Sequence, residues 1–138
     1  MSAQDAATEI IDEFSFFDDW ADRYQHLIDQ GRRLVPICDE WRTESHKLKG
    51  CQSTVYFGAS LDDDGLVQFS AESDAAIVQG LIALLLRVYS GRTPQVILAT
   101  DARLLPEMGF ETHLSATRKN GMASMLDAIK TSAHGYAT

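Results

Sequence analysis

The chain has 138 residues, of which 45% are hydrophobic and 23% are charged, and this is the composition of an ordinary soluble globular protein. We therefore expect a single domain, residues 1–138, with one hydrophobic core. Twelve Lys and Arg against twenty Asp and Glu give a net charge of −8, which argues against binding to nucleic acid or to an anionic membrane, since both attract clustered positive charge.

Two features of the sequence predict a cytoplasmic location. The longest unbroken apolar run, Leu81 to Leu86, is far shorter than the roughly 20 residues that cross a bilayer. The first 14 residues carry acidic side chains where a signal peptide would carry basic ones. In a reducing cytoplasm, the two cysteines, Cys38 and Cys51, are expected to be free thiols.

The first third of the chain has helical periodicity. A short helix is expected from about Asp5 to Glu13, and Ser15 is expected to cap a longer helix that follows. Pro36 should end this helical region because it cannot donate a helical hydrogen bond. The apolar positions at helical spacing in the longer helix are Phe17, Trp20, Tyr24, Leu27, Ile28 and Gly31.

The middle of the chain has the pattern of a β-hairpin. Residues 54–60 are rich in β-branched and aromatic side chains, residues 62–65 read Asp-Asp-Asp-Gly, and residues 66–71 alternate apolar with polar. Residues 43–48 are expected to form a third strand that leads into Gly50 and Cys51.

Helical patterns return after the hairpin. Ser73 or Asp74 is expected to cap a long apolar helix that Gly91 closes. Thr93 followed by Pro94 predicts an N-cap and a first helical residue.

The last third continues with helices. A helix is expected from Asp101 to Met108 with Gly109 as its stop, and Ser115 or Thr117 should open the final helix. The whole pattern predicts an α+β fold in which helices flank a small antiparallel sheet of about three strands.

The segment from Lys47 to Ser53 contains the residues with the clearest chemical potential. Cys51 lies between two predicted strands and follows Gly50, which permits backbone geometry that a side chain would forbid. Lys47 and Lys49 are nearby cations, and cations favour the thiolate, which is the nucleophilic form of cysteine. From these residues alone, a buried structural cysteine and a reactive one are both open.

Gly50-Cys51-Gln52-Ser53, running into a predicted strand, looks like the signature of the SufE family of sulfur-acceptor proteins. The resemblance covers roughly residues 14–130. Other segments agree in order and spacing: residues 20–31, the start of the long helix at residues 73–81, Tyr89, Gly91 and Thr93-Pro94, and the C-terminal residues Gly109, His113-Leu114-Ser115, Arg118, Asn120-Gly121 and Met125.

The resemblance implies both a fold and an activity. It implies a fold similar to that of the IscU scaffold proteins, and a sulfur carrier that takes persulfide sulfur from a SufS-type cysteine desulfurase onto Cys51. Such a carrier stimulates the desulfurase, rather than acting as a stand-alone enzyme, and passes sulfur to a downstream scaffold for iron–sulfur cluster assembly. A branch that resembles CsdE serves a different desulfurase, and both branches remain open.

The resemblance also implies roles for other residues. Arg118 matches the arginine of the C-terminal motif and is expected to stabilise the Cys51 thiolate or to contact the desulfurase. Asp74 matches a position near the thiol segment, although helix capping explains it equally well. Tyr56 and Phe57 are expected to help shelter the thiol. Cys38 is expected to be a buried apolar substitute, and a role as a resolving thiol is the alternative.

Two other classes compete with the carrier interpretation. A metal or iron–sulfur scaffold would need Cys38, His46 and Cys51 together, and their spacing matches no common zinc pattern. A cysteine hydrolase would need His113 as the base for Cys51. The carrier requires one thiol and a docking surface, so we expect no metal and no cofactor bound by this chain, which should be a monomer or a weak dimer.

Overall fold

The fold is α+β, with a two-stranded antiparallel sheet and six α-helices among residues 2–49 and 53–137, which are the residues that the computed structural model describes. The expected α+β class is confirmed. The elements are α1 (Ala3–Ser15), α2 (Trp20–Arg32), β1 (Val55–Leu61), β2 (Val67–Ser73), α3 (Ala76–Tyr89), α4 (Pro94–Ala99), α5 (Leu104–Glu107) and α6 (Ala116–Tyr136), with short 3-10 turns at Asp39–Trp41, Glu44–His46 and Phe110–Thr112.

The start of α1 and the start of α2 correct the sequence interpretation. Ser2 and Asp5 form a reciprocal capping box, so α1 begins earlier than expected. Ser15 does not cap α2; it is the last residue of α1, and its hydroxyl donates to the Asp12 carbonyl. Asp19 caps α2 instead, because its carboxylate accepts a hydrogen bond from the Ala21 amide at 2.8 Å.

The predicted hairpin is confirmed, with β1 and β2 paired from Val55 opposite Ser73 to Leu61 opposite Val67. The expected third strand over residues 43–48 is wrong. That stretch forms a 3-10 turn, and only Lys47 makes an isolated bridge, to Tyr56. The reason is local: the Thr43 hydroxyl bonds the His46 ring at 3.0 Å, which favours a turn over an extended chain.

Helix α3 lies at the centre of the core. It packs against α1, α2, α6 and β2, and Leu81, Leu84 and Val88 are completely buried. Because neighbours surround it, α3 is apolar around most of its circumference. Its N-cap is Ala75 and not Ser73 or Asp74.

The later caps agree largely with expectation. Thr93 accepts a hydrogen bond from the Val96 amide, Ser115 accepts one from the Arg118 amide, and Gly109 has a positive φ of 79° where the chain leaves α5. The helix expected from Asp101 is shorter and begins at Leu104. No helix in the described part of the chain is both long and apolar enough to cross a membrane.

Candidate functional site

Residues 49–54, here called the Cys51 segment, are flanked by a short stretch of backbone pairing. The Leu48 amide donates to the Val55 carbonyl at 2.9 Å, and Lys47 bridges Tyr56 in antiparallel fashion. The two chain ends that bracket the segment are therefore held side by side at the start of β1. Cys51 itself, with Gly50 and Gln52, lies outside the described residues.

The two lysines before the segment have different environments. Lys47 forms an ion pair with Glu44 at 2.8 Å, and this hydrogen bond raises the pKa of Lys47. Its ammonium also lies 5.9 Å from the centre of the Tyr56 ring. Lys49 is exposed and makes no ion pair within residues 2–49 and 53–137. Of the two cations expected to favour the Cys51 thiolate, only Lys49 lacks an ion pair among the described residues.

The outer face of the hairpin is covered by the chain that precedes the segment. The six-membered ring of Trp41 lies directly on Gly58 of β1, so close that a Cβ at this position would fall 2.3 Å from it. The next residue, Arg42, makes two hydrogen bonds to the Glu72 carboxylate on β2, at 2.8 and 3.1 Å. These bonds lower the pKa of Glu72.

Tyr56 and Phe57, the expected shelter for the thiol, lie on opposite faces of β1. Phe57 packs toward the core, where its ring centre is 5.7 Å from that of Phe69. Tyr56 is half-buried beside Lys47. The alternation of a strand separates the two rings, so only one of them can face any given ligand or loop.

A cleft of about 590 Å³ lies beside the start of β1. The end of α2, the end of β2 and the first turn of α3 form its walls, and Thr54, three residues after Cys51 in the sequence, contributes to its lining. Arg32, Glu72 and Asp74 are its charged lining residues. Asp74 is exposed there and does not cap α3, whose N-cap is Ala75 without a side-chain cap.

Arg118 lies in the first turn of α6 with an exposed side chain. Its backbone amide bonds Ser115, and its guanidinium has no hydrogen-bond or ion-pair partner in the described part of the chain. Its relation to Cys51 stays a prediction.

The two histidines of the alternative interpretations, His113 as a base and His46 as a metal ligand, both bond or stack within the fold. The His113 ring stacks on Trp20 with centres 3.6 Å apart, and its Nδ1 lies 3.3 Å from the Gly109 carbonyl. His46 bonds Thr43 through Nδ1. Both rings help to shape their local turns.

Cys38 is exposed, and the expectation that it is buried is wrong. After Pro36 the chain is extended, so successive side chains alternate, and Ile37 takes the inward position with only 3% exposure. Across residues 2–49 and 53–137, no three His, Cys, Asp or Glu side chains are grouped to hold a metal ion.

Trp41, Arg42 and Glu72 were missed by the sequence interpretation. One signal was available, because a glycine inside a strand often marks the close approach of another group, and Gly58 does so here. No comparable signal identified Glu72 as the partner of Arg42, since the pair joins residues 30 positions apart.

Comparison with known proteins decides the family. Residues 8–133 match SufE, described as an Fe-S metabolism associated domain. The chain belongs to the SufE family. Membership assigns it a general role in iron–sulfur metabolism as a sulfur acceptor, with a cysteine desulfurase as the general kind of partner.

Relatives and a solved structure agree with the assignment. An uncharacterized SufE-like protein of Rhizobium meliloti is 40% identical over 131 residues, covering 92% of this chain and 94% of its own. One from Rhizobium etli is 39% identical over 126 residues, covering 88% and 85%. The solution structure of a hypothetical protein from Thermus thermophilus has a TM-score of 0.78 over 95% of both chains at 17% identity, and it shares the fold.

Proposed function

We propose that this SufE protein accepts sulfur on Cys51 from a SufS-type cysteine desulfurase in the cytoplasm and passes it on for iron–sulfur cluster assembly. The Cys51 thiolate attacks the outer sulfur of the desulfurase persulfide. A bond forms between Cys51 Sγ and that sulfur, and the bond between that sulfur and the desulfurase cysteine breaks. The desulfurase thiolate leaves and takes up a proton, so one sulfur atom moves without net oxidation.

The observation that carries the proposal is the family match across the segment that contains Cys51. The match spans residues 8–133, and the Gly50-Cys51-Gln52-Ser53 signature falls inside it. The pairing of Leu48 with Val55 supports it further, because it holds together the residues on either side of the signature at the start of β1.

Lys49 and Arg118 supply the electrostatic part of the proposal. Both are exposed cations without an ion-pair partner in the described residues, so both are available to a thiolate or to a partner protein. We assign Arg118 to contact with the Cys51 thiolate or with the desulfurase.

The decisive experiment is intact mass spectrometry after incubation with a SufS-type desulfurase, pyridoxal phosphate and cysteine. The desulfurase binds the cofactor, and this chain serves only as acceptor. Wild type should gain one or more sulfur atoms, and the gain should disappear in Cys51→Ser because the attacking thiolate is absent.

Cys38→Ser is the matched control, since it removes the other thiol of the chain at an exposed position. It should gain sulfur like wild type. Loss of the gain in Cys38→Ser alone would assign the carrier role to Cys38. No gain in wild type, with a desulfurase shown to be active, would contradict the proposal.

A further inference from the structure

Residues 37–48, here called the strap, cover the outer face of the hairpin and lead directly into the Cys51 segment. The strap has little core of its own, because most of its side chains are exposed and Ile37 is its one buried residue. Its position therefore depends on its contacts with β1 and β2. These contacts are Trp41 on Gly58, Arg42 with Glu72, Lys47 with Tyr56 and Leu48 with Val55.

The contact between Arg42 and Glu72 is the one ion pair of the four, and it is bidentate. The Arg42 side chain is 35% exposed and that of Glu72 is 29% exposed, so the pair is partly withdrawn from water. Two parallel N–H···O bonds to one carboxylate fix the orientation of both side chains. Arg42 also contacts Asp39, but that pair lies within the strap and joins it to nothing else.

Glu72 places the ion pair close to the two ends of the Cys51 segment. It lies opposite Tyr56 in the hairpin register. Tyr56 in turn bridges Lys47, and the neighbouring Val55 accepts the Leu48 amide. The carboxylate of Glu72 therefore projects from the same part of the sheet where the two ends of the segment meet.

We propose that Arg42 and Glu72 are positioning residues for the Cys51 thiol: their ion pair holds the strap on the hairpin and so fixes the N-terminal end of the segment against β1. The proposal rests on the proposed function in that the positioned thiol is the sulfur acceptor. Sulfur transfer requires the thiolate to approach the partner persulfide in a defined direction. If the N-terminal end of the segment were not held, fewer encounters would have that direction.

The test compares Glu72→Gln with Asp39→Asn, both in a Cys38→Ser chain in which Cys51 is the only cysteine. Each substitution exchanges a carboxylate beside Arg42 for an amide, but only Glu72 lies on the hairpin. We expect hydrogen exchange of the Leu48 amide to be about fivefold faster in Glu72→Gln, in keeping with a partly exposed ion pair. Alkylation of Cys51 by iodoacetamide, followed by intact mass, should accelerate by a similar factor.

The control variant should leave both rates within about twofold of the parent, because surface pairs within one short segment contribute little. Exchange of the Leu84 amide in α3 should be the same in all three proteins, which would show that the effect is local. Equal rates in Glu72→Gln and Asp39→Asn, or an unchanged Leu48 amide in Glu72→Gln, would overturn the inference.

Desulfurase-dependent loading separates this inference from the proposed function. Glu72→Gln should load sulfur more slowly than the parent even at saturating desulfurase, since the defect is in orientation. If the parent loads no sulfur, the proposed function fails whatever the exchange result. If the parent loads normally and Glu72→Gln loads equally fast, the positioning role fails and the proposed function stands.

Discussion

Gly58 shows how a missing side chain shapes the surface next to the thiol segment. The Trp41 ring occupies the place where a β-carbon would stand, with two of its ring atoms 2.3 Å from that position. A large aromatic residue thereby covers a strand that would otherwise present its outer face to water. The strap gains apolar burial from this contact at a position where it has few others.

Gly58→Ala should destabilise the protein by about 1–2 kcal/mol, because the added methyl group displaces the Trp41 ring. Urea unfolding gives the free-energy difference, and a red shift of tryptophan emission reports exposure of the ring. In a Trp41→Ala background the same substitution should cost almost nothing. An equal cost in both backgrounds would mean that the glycine matters for a reason other than the ring.

Single caps were predictable where a short side chain can bond its own helix. Thr93 and Ser115 were identified because a hydroxyl at the N-cap satisfies amides two or three residues on. The orientation of Cys38 was not predictable in the same way. Its exposure depends on which face of an extended segment meets the core, and a single residue does not determine that.

At the scale of elements, the close crossing of α2 and α3 depends on two glycines. A β-carbon on Gly80 would lie 2.3 Å from the Leu27 carbonyl oxygen, and one on Gly31 would lie 2.8 Å from the Gly80 nitrogen. The two helix backbones are therefore in contact. Residues from the ends of α2 and β2 both line the cleft, so the crossing of α2 with α3 bears on its shape.

Gly80→Ala should destabilise the protein by about 2 kcal/mol despite the better helix propensity of alanine, which is worth up to about 1 kcal/mol. The clash prevails because the obstructing atom belongs to backbone and cannot rotate away. Thermal or urea unfolding measures the difference.

Gly135→Ala is the matched control for this prediction. Gly135 also lies in a helix, α6, but nothing stands within 4 Å of its would-be β-carbon. The substitution should be neutral or stabilise by a few tenths of a kcal/mol, because the position is near a helix end. If both substitutions had the same sign, packing would not be the cause.

The hairpin was predictable from sequence and the neighbouring turn was not. β-branched and aromatic residues before Asp-Asp-Asp-Gly and alternating residues after it indicate two strands joined by a tight turn, and β1 and β2 pair in that way. Residues 43–48 lack that alternation, and their polar side chains bond one another instead of a neighbouring strand. A turn held by local polar hydrogen bonds has no hydrophobic periodicity, so the sequence pattern did not predict it.

At the scale of the whole molecule, one charged network joins α1, α2 and α3. Arg87 of α3 contacts Glu9 and Glu13 of α1, and it donates to the side chain of Gln30 on α2 at 2.8 Å. His26 of α2 also bonds Glu13, at 3.1 Å. The hydrogen bond from Arg87, with a smaller one from His26, holds the pKa of Glu13 below its ordinary value near 4.5.

Stability should therefore fall in acid through Glu13. A carboxyl with a lowered folded pKa contributes stability that is complete above its unfolded value, near 4.5, and is lost as the pH falls through the lower folded value. We expect the contribution to be about 1 kcal/mol after allowing for the partial exposure of the pair. Urea unfolding at pH 7 and pH 3 measures it.

Glu13→Gln should be less stable than wild type at pH 7, and the difference should be smaller at pH 3, because the wild-type carboxyl increasingly takes up a proton as the pH falls. Asp12→Asn is the control, since that neighbouring carboxylate is exposed and makes no ion pair in the described residues. Its stability relative to wild type should change little between the two pH values. A constant deficit of Glu13→Gln across the range would assign its effect to shape and not to charge.

The family was recognisable from sequence because its motifs are short and lie in a fixed order, whereas the geometry around them was not. Gly50-Cys51-Gln52-Ser53 identifies the segment by residue type alone. Arg42 and Glu72 become neighbours only after the hairpin has folded and the strap packs against its outer face. Hydrophobic periodicity indicates which side chains share a face of one helix or strand. It does not indicate which distant polar residues meet after folding, so the contact between Arg42 and Glu72 could not be predicted from the sequence.

The hydrogen bond between Leu48 and Val55 lies at the margin of the sheet and flanks residues 49–54. The number of residues between these two positions can therefore change without altering the sheet. Doubling the length of such a stretch costs only about 0.6 kcal/mol in closure entropy. On the proposed function, inserting residues there should extend the distance over which Cys51 can deliver sulfur while leaving the rest of the molecule intact. The reach of the thiol can therefore change independently of the fold.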